Sequence, residues 1–529
     1  MSRHSRSTVL VFLFATAILT ACQPVTATPE SFPTYDPFVP LNGTAPAIPI
    51  DAGNQPDAPT RTPGPTPTRA QFSVTLPTPR DPNAPLVTPT PDMPHALPTP
   101  RQDADQYVVQ AGDRLGDIAA RYGVSAEALM QANNLADPNA LSVGQTLLIP
   151  APEPGAVGSS FKIVPDSELV NGPAAATFDM ETFVQEAGGY LANYTQEVNG
   201  ETLTGAQVIQ LVAANYSVNP RLLLALLEYR SEWVSNPAPA EVDYPLGFRD
   251  QNRAGLYRQL TWAANELNRG YYLWRANAVS SWVLGDGSVV PVDPTINAGT
   301  AGVQNFLSRL NDRATWEKDV SPFGVFQTYY FLFGNPFERA IEPLVPPSLN
   351  QPRMQLPFDQ GVTWAFTGGP HGGWDSGSAW AALDFGPIGD TAGCTPSPNW
   401  VAAVADGLIV RAANGAVIQD LDNDGYEQTG WTVLYMHVDT NERVEPGSYL
   451  FAGDHIGHPS CEGGVSNGTH LHLARKYNGE WIAADGHMPF VLDGWTSSGD
   501  GSEYGGYLTR GTQKMEAYDG VNEQNQISR

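Results

Sequence analysis

The alternation of apolar and polar residues divides the chain into five stretches. Residues 9–19 form one apolar run, whereas residues 23–104 show no apolar period. From residue 106 the pattern becomes strand, helix, helix, strand. Residues 175–345 then carry several helical patterns, and residues 355–510 carry β-rich segments. The sequence therefore predicts a multidomain protein in which a non-globular segment precedes a small βααβ module, a mainly helical domain and a β-rich domain.

The apolar run Val9–Leu19 follows a short basic start. A helix needs about 20 residues to span a bilayer, so we interpret this shorter run as a secretory signal. Its last residue begins the sequence Leu-Thr-Ala-Cys, residues 19–22, which resembles the bacterial lipobox. The resemblance implies a lipoprotein signal peptide over residues 1–21 and acylation of Cys22. The protein would then be lipid-anchored to a membrane at the cell surface after secretion. An ordinary signal peptide with an incidental cysteine is the alternative.

Proline is concentrated directly after this signal. Residues 23–104 contain 21 of the 47 prolines, many of them in Thr-Pro pairs. Proline fixes φ and removes a backbone donor, so such a segment cannot propagate a helix or a sheet. We therefore predict a disordered, extended and semi-rigid tether over residues 22–105.

Residues 106–150 combine a β-rich start, two helical patterns and a β-rich end. Gly123 is expected to end the first helix, and Ser125 is expected to cap the second. The stretch resembles a LysM module over its whole length, including the pair Asn133–Asn134. The resemblance implies binding to glycans that contain N-acetylglucosamine, as in peptidoglycan. A spacer without a ligand is the alternative.

Residues 151–345 are predicted to form a mainly helical domain. The second of its helical patterns loosely resembles the opening of lysozyme-like transglycosylase domains, in which a catalytic Glu directly precedes Ser. Here Arg230 precedes Ser231, and Glu228 lies two residues earlier. We therefore expect this domain to bind sugar or to act as a spacer. A domain that cleaves glycan through Glu228 is the alternative. Its four helical patterns cover residues 205–215, 220–230, 256–268 and 300–313.

Histidine is unevenly distributed. Seven of the nine histidines fall between residues 371 and 487, and such a density in β-rich sequence suggests a metal site. His470 and His472 alternate on a predicted strand, so they should share one face. On a second predicted strand, residues 431–438, Tyr435 and His437 should share one face.

A third segment carries His371 and, after twelve intervening residues, Asp384. Together with the two predicted strands it resembles the lysostaphin-like zinc endopeptidases, within a predicted domain of residues 346–529. The twelve-residue gap matches their beta-lytic and staphylolysin (LasA-type) branch. The resemblance implies an antiparallel β-rich fold with the duplicated hybrid motif and one zinc ion. It also implies residue roles, with His371, Asp384 and His472 as zinc ligands and His437 and His470 as catalytic residues.

This set suits a hydrolytic metal centre. Three protein ligands leave a fourth zinc position open for water, and zinc lowers the pKa of that water towards about 7. One unligated histidine can move the proton while the other donates to the oxyanion, and the sequence does not decide between them. The sequence contains no His-Glu-x-x-His pattern, which excludes a zincin mechanism. His455, His458 and His487 lie outside the motif and are expected to be loop or surface residues.

Two thiols are left once Cys22 is lipidated, namely Cys394 and Cys461. Secreted proteins meet an oxidising compartment, so we expect these two to form a disulfide. Free thiols are the alternative.

An acidic motif lies ahead of the second predicted strand. Asp420, Asp422 and Asp424 copy the first half of a calcium loop, but Trp431 stands at its twelfth position, where Glu is usual. A calcium site and an acidic hairpin turn are both open interpretations.

Charge narrows the class of partner. The chain has 28 basic and 55 acidic residues, a net charge of −27, which argues against nucleic acid and anionic lipid headgroups as partners.

We interpret the sequence as a cell-surface zinc metalloendopeptidase that LysM targets to the wall. It would hydrolyse peptide bonds in peptidoglycan cross-links, with glycyl bonds as candidates. The alternative is a catalytically inactive peptidoglycan-binding lipoprotein that scaffolds or activates other wall hydrolases.

Overall fold

The computed structural model describes residues 94–98, 101–110, 113–152, 155–389 and 393–529. The predicted signal peptide, the lipidation site at Cys22 and almost all of the predicted tether lie outside the described residues. Within the described ranges, no helix has both the length and the hydropathy needed to cross a membrane.

The first domain is the predicted βααβ module. Its two strands pair antiparallel, and its two helices pack on them around a small apolar core. As expected, Gly123 follows the first helix with a φ of +64°, and the Ser125 hydroxyl accepts a hydrogen bond from the Ala128 N–H. Its elements are β1 (Asp105–Val108), α1 (Leu115–Arg121), α2 (Ala126–Asn133) and β2 (Thr146–Ile149).

The second domain is mainly helical, as predicted. The helix that begins at Gly205 has a capping box, in which Thr204 and Gln207 satisfy each other's backbone N–H groups. The next helix begins at Pro220 behind the capping side chain of Asn219. The helices are α3 (Asp166–Leu169), α4 (Met180–Ala187), α5 (Gly205–Tyr216), α6 (Pro220–Ser231), α7 (Leu256–Arg275), α8 (Ala298–Ser308), α9 (Arg313–Asp319) and α10 (Val325–Phe333).

Two short antiparallel hairpins accompany these helices, β3 (Thr195–Val198) with β4 (Glu201–Thr204) and β5 (Ser281–Val283) with β6 (Val289–Pro291).

Two predicted helices in this domain have wrong bounds. The helix predicted over residues 256–268 continues as α7 to Arg275. We expected a single helix over residues 300–313, but α8 ends at Ser308 and α9 begins at Arg313. The Asp312 side chain accepts a hydrogen bond from the Thr315 N–H and so starts a new helix. The capping signal at Asp312 therefore overrides the helical pattern that runs through it.

The third domain is β-rich and antiparallel. Nine strands form one sheet, in which β13, β10, β11, β12, β15, β8, β7 and β21 are successive neighbours and β16 pairs with β15. Smaller sheets pair β9 with β14 and join β17 to β20.

The strands of the first half of this domain are β7 (Thr363–His371), β8 (Ala382–Pro387), β9 (Val401–Ala402), β10 (Gly407–Ala413), β11 (Ala416–Asp420), β12 (Trp431–Met436), β13 (Tyr449–Leu450) and β14 (His455–Gly457). Those of the second half are β15 (Leu471–Tyr477), β16 (Glu480–Trp481), β17 (Val491–Leu492), β18 (Trp495–Gly499), β19 (Gly506–Arg510), β20 (Gln513–Glu516) and β21 (Gln526–Ser528).

The large sheet is buried on both faces. Leu471 and Leu473 of β15 point into the core of the β-rich domain. Ala474 of β15 and Leu434 of β12 point the other way, into a core shared with the helical domain. Because side chains alternate along a strand, His472 lies on the face that the helical domain covers.

A disulfide joins Cys394 and Cys461, as expected. It links the segment that follows β8 to the segment between β14 and β15, closing a sequence separation of 67 residues. The second of these segments leads directly into His470.

We predict that this disulfide stabilises the β-rich domain. Replacing both cysteines, as Cys394→Ser with Cys461→Ser, should lower the free energy of unfolding by roughly 2 to 5 kcal/mol, because the unfolded chain gains conformational freedom. Urea unfolding of both proteins, with and without a thiol reductant, measures this. The reductant should destabilise the wild type and leave the double variant unchanged. Equal stability of the oxidised and reduced wild type would contradict the prediction.

Candidate metal centre

Three predicted ligands converge, although about a hundred residues separate the first from the last. His371 ends β7, Asp384 lies in β8, and His472 lies opposite Asp384 in β15. Residues directly opposite each other on antiparallel strands bring their side chains together on one face. One ligand atom from each of the three residues lies within 4.8 Å of the other two.

Hydrogen bonds on the far side of each ring decide which nitrogen faces Asp384. His371 Nδ1 donates to the Gly369 carbonyl at 2.8 Å, and His472 Nε2 donates to the Gly373 carbonyl at 3.1 Å. His371 Nε2 and His472 Nδ1 are therefore the nitrogens that keep a lone pair in the neutral rings. They lie 2.9 Å from each other, and each lies 3.3 Å from Asp384 Oδ1.

Three acceptor atoms thus meet with no hydrogen-bond donor between them. Asp384 Oδ1 is buried and has no hydrogen-bond partner. Buried acceptors that face one another are unfavourable unless a cation or an added proton lies between them. Zinc is commonly bound by two imidazoles and one carboxylate, and the second nitrogen of each such imidazole usually donates to a carbonyl, as it does here. The residues present therefore fit a zinc ion.

The pKa values of Asp384 and His472 suit metal ligation, whereas the pKa of His371 favours its protonated form. Burial raises the pKa of Asp384, but the positive charge that His371 and His470 can carry outweighs burial and holds that pKa well below its usual range. Burial lowers the pKa of His472. Burial also lowers that of His371, but the Asp384 carboxylate outweighs it and the net pKa is raised. Asp384 is therefore ionised and His472 neutral at neutral pH.

The two predicted catalytic histidines lie beside this cluster. His470 Nε2 is 3.8 Å from Asp384 Oδ1, and the ring centroids of His437 and His470 are 4.6 Å apart. The Nδ1 atoms of His437 and His470 donate to the carbonyls of Glu462 and Gly468, at 3.2 and 2.8 Å, which leaves each Nε2 as an acceptor. Burial and the neighbouring histidines lower the pKa of His437 to about 3.

The prediction that Tyr435 and His437 share one face is wrong. The strand ends at Met436, and His437 has a φ of +68°, which turns it out of the strand. Tyr435 instead lies in the domain core, where its hydroxyl donates to the Gln419 side chain and accepts from the Val404 N–H. A positive φ at a residue other than glycine is strained, and such strain concentrates at functional sites.

Sequence reasoning missed Tyr504, which lies in the wall of a cavity of about 370 Å³ together with Asp384 and His470. Its ring stacks on His371 at a centroid distance of 4.2 Å. Burial and the Asp384 charge raise its pKa, so the phenol keeps its proton at neutral pH. The Gly369 N–H donates to the Tyr504 carbonyl. This contact joins segments that are far apart in the sequence, so no local motif predicts it.

A glycine next to the cluster leaves room for the carboxylate. Gly368 lies opposite Asp384 in the register of β7 and β8, and a Cβ atom there would lie 2.6 Å from Asp384 Oδ2. Any larger residue would push the carboxylate out of place.

Glu228 of the helical domain has a local role. Its carboxylate accepts hydrogen bonds from the backbone N–H groups of Val234 and Ser235, and from the Ser235 hydroxyl. It therefore holds the turn after α6.

Asn133 of the first domain also has a structural role. Its side chain donates to the Leu148 carbonyl and accepts from the Leu148 N–H, both at 2.7 Å, and so ties α2 to β2.

Parts of the chain are similar to known proteins. The family model "LasA, N-terminal domain" matches residues 162–347, and the model "LysM domain" matches residues 107–150. Protease LasA of Pseudomonas aeruginosa is 27% identical over 364 residues, which cover 63% of this chain and 79% of that protein. The chain is therefore similar to protease LasA over most of its length, and it carries an N-terminal LysM domain. The helical domain is thus the part that resembles the N-terminal domain of LasA.

Other matches of this LasA-like peptidase are shorter. The N-acetylmuramoyl-L-alanine amidase XlyA of Bacillus subtilis is 48% identical over 46 residues, 9% of this chain and 16% of that protein. The M23 metalloprotease pseudoalterin from the deep sea is 23% identical, with a TM-score of 0.27, over 34% of this chain and 99% of that one. The lysostaphin catalytic domain of Staphylococcus simulans is 26% identical, with a TM-score of 0.17, over 23% of this chain and 89% of that one.

The acidic motif of the peptidase forms a second cluster. One carboxylate oxygen from each of Asp420, Asp422 and Asp424 lies within 4.8 Å of the others. Asp420 is fully buried, and its carboxylate accepts the backbone N–H groups of Asp422, Asn423 and Gly425. These bonds shape a turn between β11 and β12. Calcium at this turn stays a prediction.

We predict that Asp422 makes the metal-free protein less stable as the pH rises. Burial, and then its hydrogen bond with Asp420 and the charges of Asp420 and Asp424, raise its pKa from 3.8 to about 8. The folded state therefore holds a proton that the unfolded state releases near pH 4, and stability is lost as the pH rises from about 4 through 8. Asp422→Asn cannot ionise, so its Tm relative to the wild type should increase over that range.

Thermal unfolding from pH 5 to pH 8.5 in calcium-free buffer measures this difference. A difference in Tm that does not change with pH would contradict the prediction. Added calcium should raise the Tm of the wild type at pH 8 only if the turn binds it, and Asp422→Asn should then respond less.

Proposed function

We propose that this LasA-like peptidase is a zinc-dependent endopeptidase that hydrolyses peptide bonds in the cross-links of bacterial peptidoglycan. The convergence of His371 Nε2, Asp384 Oδ1 and His472 Nδ1, with no donor among them, carries the proposal. The two histidines beside this set and the cavity that opens on it complete a hydrolytic site.

Zinc bound by these residues would supply Lewis acidity, which lowers the pKa of water and polarises a peptide carbonyl. The protein side chains handle the protons. In the neutral tautomers that their Nδ1 hydrogen bonds select, Nε2 of His437 and of His470 carries a lone pair, so either ring can accept a proton and later deliver it to the leaving amine. The other ring, once protonated, can donate to the developing oxyanion of the substrate. The Tyr504 hydroxyl is a further donor in the cavity wall.

Three observations support the proposed substrate class. The chain resembles a protease over most of its described length, and it carries a LysM domain. A relative over 46 residues is named an N-acetylmuramoyl-L-alanine amidase. We therefore assign wall targeting to residues 107–150 and peptide-bond cleavage to the β-rich domain, with glycyl bonds as the first candidates.

Zinc binding and wall hydrolysis test the proposal together. The wild type should bind one zinc ion and reduce the turbidity of purified cell walls. His472→Ala should lose a ligand and both properties. His437→Ala and His470→Ala should keep zinc but lose at least a hundredfold in rate, because they remove proton transfer. All of the variants should still sediment with insoluble peptidoglycan through LysM.

Mass analysis of the released fragments identifies the bond that is cleaved. If the wild type binds walls but neither holds zinc nor releases fragments, the protein is a wall-binding scaffold and the enzyme proposal fails. If His437→Ala and His470→Ala clear walls at the wild-type rate, the assignment of these two residues fails.

We further propose that the peptidase is anchored by lipid at Cys22 and held at the cell surface. The lipobox-like residues 19–22 and the proline-rich segment behind them support this, since a semi-rigid tether of about 80 residues can carry the domains away from a membrane.

Expression of Cys22→Ala in a bacterial host tests the anchor. The wild type should fractionate with membranes and take up labelled fatty acid, whereas the variant should be released into the soluble fraction after signal removal. Equal membrane association of the two proteins would overturn the anchor.

A further inference from the structure

The predicted catalytic residue His437 is bound to a segment that follows 23 residues later in the chain. We call residues 460–462 the bracing segment. The His437 carbonyl accepts hydrogen bonds from the Ser460 N–H at 2.7 Å and from the Ser460 hydroxyl at 3.0 Å. The Glu462 carbonyl accepts the hydrogen bond of His437 Nδ1 at 3.2 Å. The bracing segment therefore fixes both the main chain and the ring of His437.

The bracing segment is itself held by the carboxylate of Glu462. Glu462 Oε1 accepts hydrogen bonds from the Gly415 N–H at 3.0 Å, the Thr440 hydroxyl at 2.9 Å and Arg443 Nη1 at 2.8 Å. Hydrogen bonds to an ionised acceptor are stronger than those between neutral groups. The three donors therefore fix the bracing segment against the turn between β10 and β11 and against the loop that follows His437.

Arg443 joins Glu462 to the residue that follows His437. Arg443 Nη1 also donates to the Val438 carbonyl at 3.0 Å, and Arg443 Nη2 donates to the Thr440 hydroxyl at 3.1 Å. Only 12% of the Arg443 side chain is exposed. A planar guanidinium holds several acceptors in one fixed geometry, which the single ammonium group of lysine cannot reproduce. Arg443 therefore supports His437 from the chain behind it as well as through Glu462.

The acceptor of the His437 ring is also packed closely against the turn between β10 and β11. A Cβ atom at Gly415 would lie 2.1 Å from the Glu462 carbonyl oxygen. The Gly415 carbonyl accepts the Val438 N–H at 3.0 Å. This turn therefore contacts both the acceptor of the ring and the residue that follows His437.

His437 depends on these contacts because its backbone is strained. Its φ of +68° lies in the left-handed region, which a residue other than glycine keeps only where the surrounding structure holds it. The second predicted catalytic residue differs, since His470 Nδ1 donates to the carbonyl of Gly468, only two residues before it. A local hydrogen bond thus orients His470, whereas contacts between distant segments orient His437.

We propose that Arg443 and Glu462 are positioning residues, which hold the His437 ring in the tautomer and orientation that present its Nε2 to the substrate. Within the described part of the chain, neither residue forms a hydrogen bond or an ion pair with a candidate metal ligand, so zinc binding should not depend on them. This inference rests on the proposed hydrolytic function, but its structural half can be measured without metal or substrate.

The test uses the full chain and five variants. Arg443→Ala and Glu462→Ala remove the two positioning side chains. Arg443→Lys keeps the charge without the planar fork, and Glu462→Gln keeps an oxygen that can take the place of Oε1. Arg529→Ala is the matched control, because it breaks an ion pair with Asp493 elsewhere in the β-rich domain, with both side chains about as buried as Glu462.

Three properties are measured for each protein. The first is kcat and KM for hydrolysis of a soluble, cross-linked peptidoglycan fragment, and the second is zinc content. The third is amide hydrogen exchange of residues 437–443 and 460–464 in the metal-free protein. Glu462→Gln and Arg443→Lys keep the test decisive if an alanine variant does not fold.

Arg443→Ala and Glu462→Ala should lower kcat by roughly ten- to a hundredfold, because a small displacement of a reacting group costs that much in rate. KM and zinc content should stay near the wild type, and amide exchange around His437 should become faster. Glu462→Gln should recover most of the rate, whereas Arg443→Lys should not. Arg529→Ala should match the wild type in all three properties.

The proposal is overturned if both alanine variants keep the wild-type kcat and amide exchange, or if they lose zinc. It is also overturned if Glu462→Gln is as slow as Glu462→Ala, or if Arg529→Ala lowers kcat as much as Arg443→Ala. If the wild type cleaves no fragment, while both alanine variants still exchange faster around His437, the proposed function fails and the positioning role stands.

Discussion

The rest of the metal centre depends on one buried carboxylate oxygen, Asp384 Oδ1. Asp384 Oδ1 meets two imidazole nitrogens whose rings direct their protons to backbone carbonyls, so the neutral rings donate no hydrogen bond to it. A low-dielectric site makes such a set unfavourable without a cation and strongly attractive to one. The surrounding structure maintains the set, since Gly368 leaves space for the carboxylate and Gly373 orients His472. The pKa directions of the side chains follow from the same arrangement.

The large sheet connects this chemistry to the architecture of the chain. One face packs within the β-rich domain, and the other face carries the candidate ligands and is shared with the helical domain. The side of the sheet that holds the centre is therefore also the side that the helical domain braces. Domain interfaces are common locations for functional sites, and here the interface also contains the loop between two of the ligands.

The LysM domain, the disulfide and the net charge are features outside the three candidate ligands. The LysM domain has its own small core, and its Asn133 serves to join α2 to β2. The disulfide between Cys394 and Cys461 restrains the segment that carries the hydrogen-bond acceptor of His437. With a net charge of −27, the protein is not attracted to anionic surfaces by charge, so the proposed wall binding depends on specific contacts of the LysM domain.

The sequence determined what depends on neighbours along the chain. Capping by Ser125, the alternation of His470 and His472, and the strand-rich character around them follow from periods and caps that act over a few residues. The pairing of Cys394 with Cys461 followed from having only two thiols left to pair.

Tertiary structure decided what depends on contacts between distant segments. It set which nitrogen of each ring faces Asp384, the turn that takes His437 away from the face of Tyr435, the stacking of Tyr504 on His371, and the domain that covers the second face of the sheet. Apolar alternation shows that a face is buried, but what buries it is fixed only when the whole chain has folded.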